Sequence, residues 1–179
     1  ASGSALAKGA PGGATCGTVH RPFVMPARGL QVNVSNGGVP KRAVAEAHVG
    51  REGLAGDSGN HPKVHGGPER AVCLFPLELI RQLQDEGHPI YPGAVGENLP
   101  VAGLDWEKLD GEAVLAIGRE VRLQLTKRVE PCRTIEAAFA DGTFKRIKPN
   151  RAPDETRWYA RVLQEGTVRP GDEVLVVQP

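Results

Sequence analysis

A mainly β fold, a barrel or sandwich of short strands with a few helical insertions, is what this 179-residue sequence predicts. Three observations carry the prediction. The chain holds 23 glycines and 15 prolines, residues that break a chain into many turns and short elements. Apolar and polar side chains alternate in several runs, most cleanly over residues 121–126, which is the period of a strand with one buried face. A clear helical period occurs in one stretch, residues 77–86.

The elements follow in chain order. Residues 1–14 are small and Gly-rich and have little to bury, so residues 1–28 are assigned to a mobile or weakly ordered tail and residues 29–179 to the domain. Residues 30–34 alternate as a strand, Asn36-Gly37-Gly38 supplies a turn, and the chain resumes over residues 41–49, a hairpin signal. Residues 50–67 are irregular and rich in glycine, which fits either a functional loop or a disordered one. Residues 70–75 read as a buried strand. Pro76 then falls where a first helical turn begins, Leu79, Ile80 and Leu83 share a face, and Gly87 stops the helix. Residues 88–103 read as loop, and strands are expected at 113–117 and 121–126. A short helix is expected at 134–139 with Thr134 as its N-cap. The apolar run 158–163 fits either helix or strand. Arg169-Pro170-Gly171-Asp172 forms a turn before a closing strand at 173–177. The total is about six to eight strands.

Composition narrows the function. Twenty-two Lys and Arg against 21 Asp and Glu give a net charge of +1, which leaves little field to draw nucleic acid or an anionic membrane. Aromatic residues make up 4% of the chain, scant material for stacking bases. No apolar run reaches the roughly 18 residues of a membrane span. Three cysteines without CxxC spacing argue against a disulfide framework and for a reducing compartment, so the expected location is cytoplasmic. GxSxG, GxGxxG and P-loop patterns are absent.

Cys132 stands out because residues 127–157 are basic on balance and Lys127, Arg128 and Arg133 flank it. Such neighbours favour the thiolate, the form that attacks electrophiles and binds soft metals. The competing reading is a small buried residue, which suits Cys73 between Val72 and Leu74. His61 and His65 have i,i+4 spacing, but the surrounding glycines and Pro62 argue against the helix that a metal pair would need. In His65-Gly66-Gly67-Pro68-Glu69-Arg70, the glycines permit close backbone approach and His65 and Arg70 can donate to an oxyanion; the alternative is a plain turn. Glu97 and Asn98 either cap local backbone or read a ligand's amide edge.

Taken in order, these segments resemble the MOSC domain family, named for the C-terminal domain of molybdenum-cofactor sulfurase. The matching residues are Gly53-Leu54-Ala55-Gly56-Asp57, His65-Gly66-Gly67-Pro68-Glu69-Arg70-Ala71-Val72, Pro92-Gly93-Ala94-Val95-Gly96-Glu97-Asn98-Leu99, Pro131-Cys132, Trp158-Tyr159-Ala160-Arg161-Val162-Leu163 and Gly171-Asp172. The resemblance spans residues 30–177 and is nearest to small stand-alone bacterial members. It implies a closed β-barrel and molybdenum-cofactor (molybdopterin) chemistry, with Cys132 as molybdenum ligand or sulfur carrier. It further implies reduction of N-hydroxylated compounds with a separate electron donor. Two alternatives stay open. One is a module holding a persulfide on Cys132, supplied by a separate pyridoxal-phosphate-dependent cysteine desulfurase. The other is a non-catalytic anion-binding domain. The expected cofactor-binding set is His65, Gly66, Gly67, Arg70, Glu97, Asn98, Arg128 and Arg133. Cys132, His65, Arg70 and Asn98 are expected to converge on one cleft at an end of the barrel, with Arg70 and Arg133 facing an oxyanion.

Overall fold

The computed structural model describes residues 26–58, 67–150 and 155–177. Seven strands close a barrel in the order β1 (Ala27–Gly29), β12 (Glu173–Val177), β8 (Val114–Ile117), β9 (Val121–Arg128), β10 (Trp158–Gln164), β6 (Val72–Pro76) and β7 (Leu99–Ala102), with β7 pairing back onto β1. Beside it stand a three-stranded sheet of β11 (Gly166–Val168), β4 (Ala47–Gly50) and β5 (Gly53–Leu54), and a hairpin of β2 (Val32–Val34) and β3 (Arg42–Val44). The barrel pairs are antiparallel except β6 and β7. A parallel pair needs a crossover, and α1 (Leu77–Asp85) supplies it.

Several expectations change. Ala27 and Arg28, assigned to the tail, form a barrel strand, with Ala27 opposite Val174 and Arg28 opposite both Glu173 and Ala102. Residues 1–25 lie outside the described residues. The hairpin forms with Val32 opposite Val44, but alternation misleads about its faces: Asn33 is fully buried while Leu30 is 46% exposed. The run 41–49 divides at Ala45, and its second half joins a different sheet. β7 arises within the expected loop 88–103 because Leu99 and Val101 are buried and Pro100, lacking an N–H, still accepts from the Leu30 amide. The run 158–163 is strand β10, held between β9 and β6. In place of a helix at 134–139 there is a 3₁₀ segment, Arg133–Ala138, with Cys132 at its N-cap position; the Thr134 hydroxyl lies against the Cys132 sulfur.

α1 meets its expectation closely. Leu77, Leu79, Ile80 and Leu83 are buried, Pro76 precedes it in extended conformation, and Gly87 beyond its end has φ 91°. Two apolar clusters result. One fills the barrel with side chains such as Val72, Leu74, Leu123, Leu125, Trp158 and Ala160. The other lies outside the barrel and packs α1 against Val95, Ile135 and Phe139. This second cluster brings the 92–98 loop to the 132–138 segment, although each lies far from the other in sequence. Among the described residues no helix is long and apolar enough to cross a membrane.

Candidate functional site

The pleat of β6 and β10 decides where a cleft can form. Val72 and Leu74 point into the barrel, as do Trp158 and Ala160. Cys73 and Tyr159, which are register partners, therefore face outward. A cleft of about 410 Å³ lies over that outer wall. This replaces the expected position at a barrel end. Its floor includes Cys73 and Tyr159, and Arg157 enters two residues before Tyr159 on the same side. Gly67, Arg70 and Ala71 border it from the segment before β6, Gly96 and Asn98 from the 92–98 loop, and Cys132, Thr134 and Ile135 from the 3₁₀ segment. Lys41 and Asp57 close the remaining side.

Of the four residues expected to converge, Cys132, Arg70 and Asn98 share one cleft, and Gly67 of the expected cofactor-binding set borders it too. His65 and Gly66, with His61, lie outside the described residues. Three other predicted residues do not line it. Arg133 turns away, is exposed, and pairs with Glu136 at 2.9 Å. It borders a larger, more open depression of about 620 Å³ together with His88 and Arg146. Both arginines there are already engaged, since Arg146 bonds Glu86 and Glu155. Arg128 stacks its guanidinium over Trp158, 4.8 Å from the ring centroid. Glu97 is fully buried behind the wall, where it accepts the Gly93 N–H at 2.6 Å.

Asn98 and Asp57 knit the walls together. The Asn98 Oδ1 accepts the Cys73 N–H at 3.0 Å, and its Nδ2 donates to the Asn33 carbonyl at 3.1 Å and to Asp57 at 2.7 Å. Asp57 also accepts the Ser35 N–H at 2.9 Å and pairs with Lys41. Gly93 has φ 95°, and a Cβ there would fall on the Lys41 carbonyl, so close approach of these two loops requires glycine. Asn98 and Asp57 are therefore structural clamps as well as lining.

Sequence reasoning did not find Arg157. It is only 6% exposed, donates from Nη1 to the Val95 carbonyl, and its Nε is buried without a partner. The available signal was the pleat: a strand beginning Trp158 inward places Tyr159 and Arg157 on the opposite side. Burial also sets the protonation of the floor. It pushes the Cys73 thiol up to about 11 against the pull of Arg157 and Lys41, and the Tyr159 phenol up to about 12. Both hold their protons at neutral pH, and the sulfur that is only half-buried is that of Cys132.

Burial raises the Glu97 carboxyl from an ordinary 4.5 to about 7, against the backbone N–H groups and Arg157 that favour its charge. Between those values the native state binds more protons than the unfolded chain, so this group lowers stability as pH rises from about 4.5 to 7. Denaturant unfolding of parent and Glu97→Gln proteins should therefore show a difference that grows over that window by roughly 2–4 kcal/mol, favouring the variant at the upper end. A pH-independent difference would show that Glu97 titrates normally.

Comparison with known proteins matches residues 61–175 to the MOSC domain family. The chain is 33% identical over 136 residues to the uncharacterized protein YflK of Bacillus subtilis, covering 75% of this chain and 60% of that one. It is 28% identical over 120 residues to the protein YiiM of Escherichia coli, covering 65% and 52%. The match thus spans little more than half the length of these relatives. The crystal structure of YiiM from Geobacillus stearothermophilus shares the fold, with a TM-score of 0.65 at 24% identity over 86% of this chain and 76% of that one.

Proposed function

The chain belongs to the MOSC domain family, and from that premise we propose that the cleft binds the molybdenum cofactor, with Cys132 as a ligand to molybdenum, and that the loaded protein reduces N-hydroxylated compounds using a separate electron donor. The observation that carries this reading is the placement of one half-exposed thiol and two guanidinium groups, those of Arg70 and Arg157, on a single ligand-sized cleft.

The donor set fits the cofactor. The half-exposed sulfur of Cys132 suits a metal that arrives with sulfur ligands of its own. The orphaned buried Nε of Arg157 and the guanidinium of Arg70 suit the cofactor's phosphate. When bound, the cofactor supplies a redox-active metal. Cys132 would hold that metal, and Arg157 and Arg70 would orient the anionic end. Tyr159 and Cys73, both protonated, would offer neutral donors along the floor. Converting an N-hydroxy group to N–H takes two electrons and two protons and releases water. The electrons would come from a flavin or iron–sulfur partner protein.

A second reading, a sulfur carrier, draws on the Thr134 hydroxyl 2.8 Å from the Cys132 sulfur, a polar contact that would also suit a terminal persulfide. Elemental analysis and pterin fluorescence of protein purified from molybdate-fed cells separate the two. Equimolar molybdenum and pterin support the first. Cyanide-labile sulfur on Cys132 without molybdenum supports the second. Neither species would leave an anion-binding domain and overturn the proposal.

A further inference from the structure

Strand β9 carries one extra residue against β10. Lys127 stands opposite Tyr159 and Leu125 opposite Ala160, which leaves Thr126 unmatched, a β-bulge beside the cleft floor. A bulge bends its strand and re-aims a side chain, and here the Thr126 hydroxyl donates to the Glu69 carbonyl at 2.7 Å. Glu69 belongs to the single 3₁₀ turn Pro68–Arg70 that leads into β6. Its carbonyl and the Arg70 N–H are the two ends of one planar peptide unit. The Arg70 N–H in turn donates to the Gly67 carbonyl at 2.9 Å. That plane is therefore held from both sides, and its orientation sets the direction in which the Arg70 side chain leaves the backbone. The side chain borders the cleft, where its charge reaches the Tyr159 phenol. Packing does little to fix the turn, because Gly67, Pro68 and Glu69 are exposed. Arg161 approaches the Glu69 carboxylate at 3.5 Å, but the pair is solvent-exposed and such pairs contribute little.

We infer that Thr126 is a positioning residue for Arg70: its hydroxyl, aimed by the bulge, fixes the Pro68–Arg70 turn so that the guanidinium faces an anion in the cleft. The inference rests on the proposed function only in taking Arg70 to meet the anionic end of the ligand. The bond from Thr126 is exposed, so water replaces the hydroxyl when it is removed and stability changes little. What is lost is the fixed orientation. The anion must then order the turn as it binds, and affinity falls by that cost.

Titration calorimetry of the full, cofactor-free chain with sulfate tests this. Thr126→Val, which keeps the β-branched shape, should weaken sulfate roughly two- to tenfold while moving the melting temperature by no more than about 2 °C. Thr126→Ser, which restores the hydroxyl, should bind as the parent does. Arg70→Gln should weaken sulfate more than Thr126→Val does. Adding Thr126→Val to Arg70→Gln should change nothing further, because the hydroxyl acts only through the guanidinium. Parent affinity in Thr126→Val, no rescue by serine, or the full effect of Thr126→Val in the Arg70→Gln background overturns the inference and leaves Arg70 assigned to the anion. A large fall in the melting temperature of Thr126→Val overturns it too, by making the role structural. If sulfate does not bind, or binds Arg70→Gln as it binds the parent, the assignment of Arg70 to an anion fails and the positioning role fails with it. Molybdenum content is measured separately, so the metal reading of Cys132 can stand if this one falls.

Discussion

Cys132→Ser is expected to reduce the molybdenum retained by the purified protein by more than about tenfold while moving its melting temperature by no more than about 2 °C. Both halves come from the setting of the side chain. Cys132 is half-buried at the N-cap position of a 3₁₀ segment and provides no side-chain cap to the backbone. Its sulfur meets the Thr134 hydroxyl, a contact that a serine hydroxyl can keep. Little packing is lost, but a soft donor is exchanged for a hard, neutral oxygen that is a poor ligand for a metal held among sulfurs. Metal analysis and thermal melts on the same preparations check the prediction. Undiminished molybdenum would remove Cys132 from the metal site, and a large fall in melting temperature would make its role structural.

Asn98→Ala should act through stability instead. Its side chain satisfies the Cys73 N–H, the Asn33 carbonyl and one oxygen of Asp57, and it is buried. Alanine leaves a buried donor and a buried acceptor without partners and weakens the anchoring of Asp57. Each unsatisfied group costs about 1–3 kcal/mol, so a total of about 3–5 kcal/mol is expected. For a chain of this size that corresponds to a fall of roughly 6–15 °C in melting temperature. A loss below about 1 kcal/mol would mean that the walls hold without this clamp.

The sequence shows which parts of this account local pattern can carry. α1 was legible because four buried residues repeat at helical spacing between a proline and a glycine. β9 was legible because eight residues give alternation room to show. β1, β7 and β11 were not, since three or four residues hold no readable period and β7 contains Pro100. Cys132 stands out by its flanking cations and Arg70 and Asn98 by their glycine-rich loops, and the family resemblance joins the three. The cations of the cleft were misassigned because proximity in sequence stood in for proximity in space. Strand pleat and the 3₁₀ turn send Arg128 onto Trp158 and Arg133 out to Glu136. Arg157 arrives just ahead of β10, aligned by the Val129 N–H on its own carbonyl. Tertiary pairing, not local sequence, puts it beside the cleft that Cys132 lines.

Alkylation mapped by mass spectrometry on cofactor-loaded and cofactor-free protein shows whether one cleft holds the cofactor against Cys132. Cys132 should be modified in the free protein and protected in the loaded one. Cys73 should stay unmodified in both, because it is buried and its thiol is pushed up to about 11. Equal modification of Cys132 in the two preparations would contradict the account.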